Sequence, residues 1–97
     1  MGAYMIIQAT ITDPAGFAEY AKRTPALVTE YGGRYRSMRG EREQLEGPED
    51  SRVIVVSEWP SMDAARAFWH SDAYAELKKL REGTAEVSVN IVEITAD

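Results

Sequence analysis

A chain of 97 residues, 44% hydrophobic and 28% charged, is sized for one folded domain over residues 1–97 and is not composed for disorder. Zero cysteines exclude a disulfide scaffold, a thiolate zinc site and a cysteine nucleophile, and a single histidine excludes a histidine-rich cage, so no metal or other cofactor is expected. A net charge of -5 sets the chain against nucleic acid and anionic membranes, and no apolar run approaches the roughly 20 residues of a bilayer span. The expectation is a soluble, cytoplasmic protein.

Tyr4 to Thr12 alternates, with Met5, Ile7, Ala9 and Ile11 on one side and Tyr4, Ile6, Gln8, Thr10 and Thr12 on the other; this predicts a strand with one dry face. Asp13-Pro14 supplies an N-cap oxygen and a proline preset for the first turn, and Phe17, Tyr20, Ala21, Thr24, Val28 and Tyr31 follow at helical spacing. Pro25 predicts a kink with Thr24 recapping a second segment before Gly32-Gly33. Arg34 to Glu46 reads as extended and polar, with a bulge or bend at Gly40, and Gly47-Pro48-Glu49-Asp50 as a turn.

Arg52 to Trp59 carries the β-branched run Val53-Ile-Val-Val56 and predicts a central strand. Ser61 caps a second helix with Ala65, Phe68 and Trp69 as its apolar stripe. Ser71 before Asp72 reads as a fresh cap, after which Tyr74, Leu77 and Leu80 face inward until Gly83. Ala85 to Thr95 closes the chain as a strand, with Val87, Val89 and Ile91 opposite Ser88 and Asn90.

The order is βαββαβ, an α+β ferredoxin-like plan with a four-stranded antiparallel sheet and both helices on one face. Its other face carries Ile6, Gln8, Thr10, Ser88 and Asn90, apolar and polar together, and a second copy of the chain is the cheapest cover for it. A homodimer is therefore expected.

At full length the pattern resembles the DUF1330 family, small proteins of unassigned activity within the dimeric α/β-barrel superfamily. The resemblance runs through Asp13-Pro14 with Phe17-Ala-Glu-Tyr20, Tyr31-Gly-Gly-Arg-Tyr35, Leu45-Glu-Gly47 and Arg52-Val-Ile-Val-Val-Ser-Glu-Trp-Pro-Ser61. It continues through Ala64-Ala-Arg-Ala-Phe-Trp69, Ser71-Asp-Ala-Tyr74 and Leu77-Lys-Lys-Leu-Arg81. It implies two ferredoxin-like protomers with sheets packed face to face and a cavity in each half of the barrel. Ser37-Met38 makes the second strand a residue longer than the family pattern.

Candidate chemistry follows from few residues. His70 is the side chain whose ordinary pKa lies near neutrality, and so the first candidate acid or base; its plain alternative is an exposed residue favoured at a helix C-terminus. Glu58 and Trp59 point to opposite faces of their strand. A cavity-facing Glu58 would serve as a base, and a surface Glu58 would pair with an arginine such as Arg34.

Arg34 and Arg36 share a face and fit a carboxylate through forked donors, with Arg39 opposite unless the register shifts. Tyr35, Trp59 and Trp69 are the candidate aromatic walls of a small-molecule site. The helical aromatics Tyr20, Tyr31, Phe68, Trp69 and Tyr74 serve equally as core. Two functions remain open: a cofactor-independent enzyme acting on a small aromatic or carboxylated metabolite, or a non-catalytic module that binds a small molecule or serves as a structural dimer.

Overall fold

The computed structural model describes residues 2–96. Strand β1 (Ala3–Ile11) leads into helix α1 (Pro14–Glu30), and β2 (Arg34–Met38) and β3 (Val53–Trp59) follow. Helices α2 (Met62–Trp69) and α3 (Asp72–Lys79) precede β4 (Ala85–Glu93). The strands pair antiparallel in the order β2-β3-β1-β4, which places β3 inside the sheet and makes the fold the ferredoxin-like βαββαβ plan.

Each helix start is written locally. The Asp13 carboxylate accepts from the Gly16 amide at 3.1 Å, and Ser61 and Ser71 accept from Ala64 and Tyr74 at 3.0 Å each. The second helical segment breaks at His70 and restarts at Ser71, as the paired caps predict. The first does not break: α1 runs unbroken through Pro25. Thr24, expected to recap, instead donates its hydroxyl to the Tyr20 carbonyl at 2.6 Å. Thr24 and Val28 are both buried on either side of Pro25, so packing of one continuous stripe overrides the local penalty.

The second correction concerns β2, which ends at Met38 rather than continuing to Glu46. Its bulge lies between Tyr35 and Ser37, not at Gly40. The extra residue is Arg36, and past it Ser37 faces Val56 and Met38 faces Val55. Beyond Arg39, which takes a φ of 56°, the chain leaves the sheet. The following loop is tied by Gln44, whose amide nitrogen donates to the Gly47 and Pro48 carbonyls, and by the Asp50–Arg52 ion pair at 2.8 Å.

The dry face of the sheet meets the helices. Ala3, Met5 and Ala9 of β1 and Ser57 and Trp59 of β3 are buried there, and Phe68, Ala65, Val28 and Tyr74 close over them. Burial of Trp59 and Phe68, ring centroids 4.9 Å apart, anchors this layer. On the opposite face Ile6 stands beside Val56 and Asn90, and Gln8 beside Ile54 and Ser88, all at least partly exposed.

Candidate functional site: a tyrosine-lined cavity between sheet and helices

The helix-facing side of the sheet is not fully packed. Ile7 and Val55, with Val87 and Val89, form the floor of a cavity of about 100 Å³. Phe17, Tyr20, Thr24 and Val28 of α1 roof it, and Phe68, Trp69 and Tyr74 wall one side. The α1 stripe read from the sequence is thus the cavity roof as well as core. Toward the Ile11 end of β1 a second lobe of about 50 Å³ opens between Ala9, Val53 and Arg81, sharing Ile7, Phe17, Tyr20 and Arg39 among others with the first. Space of this order suits one six-membered ring: an apolar cavity of roughly 150 Å³ in another protein holds benzene.

Three phenols, with Thr24, Ser57 and Arg39, supply the polar groups of the lining. The Tyr20 and Tyr74 hydroxyls are 2.7 Å apart, a hydrogen bond joining α1 to α3 across 54 residues of sequence. Tyr35 reaches the same space from β2. Burial pushes the Tyr35 hydroxyl up to about 12, with Tyr20 adding to the effect. Burial likewise pushes Tyr74 up, reinforced by Tyr20 and opposed by hydrogen bonding from Arg81 and by its charge. At neutral pH both are therefore protonated hydrogen-bond donors, not bases.

Of the residues singled out from sequence, Tyr35 and Trp69 line this cavity. Trp59 lies in the core beneath it, 1% exposed, with Nε1–H donating to Ser57 Oγ at 2.9 Å. Glu58 points to the open face, where Arg34 and Arg36 approach its carboxylate at 3.6 and 3.5 Å. Both guanidinium groups thus reach one acid. His70 is exposed at the C-cap of α2, its amide donating to the Arg66 carbonyl at 2.9 Å. It edges a crevice of about 150 Å³ between α2 and β4 whose inner wall, Met5, Trp69 and Val89, also bounds the main cavity.

Sequence reasoning missed two features. The Tyr20–Tyr74 hydroxyl pair carries no local signal beyond two tyrosines on inward stripes. Arg81 follows α3 and stacks its guanidinium 5.5 Å from the Tyr20 ring centroid, a placement set by how α3 lies against α1. Among the described residues no group of three or more His, Asp or Glu side chains is placed to hold a metal ion, and no helix is long and apolar enough to cross a membrane.

The family model described as "Domain of unknown function (DUF1330)" matches residues 2–95. A protein of unknown function from Rhodopseudomonas palustris superposes with a TM-score of 0.78 at 16% identity, over 99% of this chain and 84% of that one. The cofactor-independent oxygenase SnoaB of Streptomyces nogalater gives 0.72 at 16% identity, over 99% and 95%. The de novo designed protein Foldit4 gives 0.63 at 14% identity, over 97% and 99%. A fold shared by an oxygenase and a designed protein is evidence of architecture alone. No curated protein matches the chain.

Proposed function

Because the chain belongs to the DUF1330 family, whose description specifies no activity, we propose from its own geometry that it is a cofactor-independent enzyme acting on a small single-ring aromatic metabolite. The ligand lies between the sheet and the helices, flat against Phe68 and Trp69. The observation that carries this reading is the Tyr20–Tyr74 hydroxyl pair, 2.7 Å apart in the wall of a mostly apolar cavity.

In such a pair one O–H is spent on the other oxygen and one remains free to donate. Aimed at a ligand oxygen, it stabilises negative charge developing there, and does so more strongly where water is excluded and the dielectric is low. Tyr35 offers a second donor. A cofactor-independent oxygenase is built on the same fold, so the architecture accommodates a reaction of this class without specifying it. The chemistry is assigned to the cavity phenols. Glu58, held by two arginines on the opposite face, and His70, exposed at a helix end, are left outside it.

A non-catalytic binding module is favoured by a different observation: no carboxylate or imidazole lines the two lobes, so no base stands beside the ligand. Calorimetric titration with phenol tests what the two readings share. One site per chain is expected, weakened about tenfold or more in Tyr74→Phe; absence of saturable binding contradicts both. Native mass spectrometry of the purified protein, followed by incubation of any captured aromatic compound in air, separates them. A changed mass for the compound supports the enzyme, and an unchanged compound supports the module.

The open sheet face is assigned to a second copy of the chain. Ile6, Ile54 and Val56 form an apolar centre, with Tyr4 and Val92, 37% and 49% exposed, at one end. The paired Glu58 and Arg34 lie at its edge, an arrangement of apolar centre and charged rim that suits association. Sedimentation equilibrium is expected to give twice 10.8 kDa, and a monomer at micromolar concentration contradicts the assignment.

A further inference from the structure

The chain has eight arginines, and six of them have a carboxylate partner within 4 Å: Arg23, Arg34, Arg36, Arg42, Arg52 and Arg66. Among the described residues Arg39 and Arg81 have none. These two lie 42 positions apart in sequence, yet both line the second lobe of the cavity, which contains no acidic side chain. On a chain of net charge -5, leaving two guanidinium groups unneutralised at one place calls for an explanation.

Arg81 adds an independent sign. Its Nε is buried and has no hydrogen-bond acceptor, whereas buried donors are nearly always paired. Its guanidinium lies over the Tyr20 ring at 5.5 Å, and that of Arg39 over the Phe17 ring at 5.7 Å. Phe17 and Tyr20 are themselves in edge contact, centroids 5.2 Å apart. The two cations therefore sit over neighbouring rings of the same helical stripe. Arg39 takes a positive φ, 56°, just past the last residue of β2, where the chain leaves the sheet.

We infer that the second lobe is an anion subsite in which Arg39 and Arg81 receive the carboxylate of an aromatic acid whose ring occupies the main cavity. The inference rests on the proposed aromatic ligand and specifies its class: a monocyclic carboxylate. A carboxylate supplies several lone-pair sites, enough for the orphaned Nε and for a forked contact from a second guanidinium. The ring then lies toward Tyr74 and Trp69, so substituents opposite the carboxylate meet the phenol pair.

Benzoate and benzamide, alike in shape and different in charge, are the probes. By isothermal titration at neutral pH, benzoate is expected to bind wild-type protein at least tenfold more tightly than benzamide. Arg81→Met is expected to remove that preference by weakening benzoate at least tenfold more than benzamide. Arg39→Gln, at an exposed residue whose loss does not threaten the core, is expected to reduce the preference severalfold and to lessen its salt dependence. Benzamide binding as tightly as benzoate overturns the anion subsite while the aromatic cavity stands. No binding of benzamide, benzoate or phenol overturns the aromatic ligand and the subsite with it. Loss of both ligands equally in Arg39→Gln overturns the subsite as well.

Discussion

Gly33 lies flat against the indole of Trp59: a Cβ built on the glycine would stand 2.7 Å from Cη2 and 2.8 Å from Cζ2 and Cζ3. The contact holds the junction between α1 and β2 against β3, and with it the direction from which Tyr35 enters the cavity. The indole cannot withdraw, since its other side meets Phe68 at 4.9 Å and its Nε1–H is bonded to Ser57.

Gly33→Ala is therefore expected to destabilise the fold by about 1–3 kcal/mol, the range for forcing a methyl into a packed interior. Urea unfolding followed by tryptophan fluorescence measures it. An unchanged midpoint would mean that the junction yields freely.

Ser57→Ala removes the acceptor for Trp59 Nε1–H, 2.9 Å away in a pair that is 1% exposed at each residue. A buried donor left unpaired costs about 1–3 kcal/mol. The expected result is a lowered thermal midpoint, with a shifted indole NH resonance reporting the lost bond. Stability equal to wild type would place water or another acceptor at that nitrogen.

Alkaline pH should reach the cavity late. Tyr35 has a folded pKa pushed from 10.0 up to about 12. Between those values the unfolded chain has released a proton that the folded chain keeps, so stability present below pH 10 is lost as pH rises through about 12. Ultraviolet titration of tyrosinate is expected to show Tyr35 and Tyr74 ionising above the ordinary tyrosine range. Ionisation of Tyr35 near 10.0 in folded protein would contradict the burial of this site.

Much of the fold was legible because its signals are local. Asp13-Pro14, Ser61 and Ser71 fix helix starts within a few residues of themselves, and strict alternation over Tyr4–Thr12 decides which side of β1 is dry. Pro25 misled because its penalty is local and the burial of Thr24 and Val28 that outweighs it is not. Gly40, a flexible residue, invites a bulge, whereas the actual position at Arg36 is set by pairing with β3. The site was less legible for the same reason. Tyr35 and Trp69 were reached as aromatic candidates, but the meeting of Tyr20 with Tyr74, and of Arg39 with Arg81, depends on how α1, α3 and the end of β2 converge.

Methyl NMR during titration with benzoate locates the ligand directly, because neighbouring residues on one strand point to opposite faces. Ile7 and Val55 face the cavity, whereas Ile6 and Val56 face away. Binding between sheet and helices should give saturable shifts at Ile7, Val55, Val87 and Val89, with Ile6 and Val56 unmoved. Shifts concentrated at Ile6, Ile54 and Val56, or no saturable shift at any methyl, would contradict it.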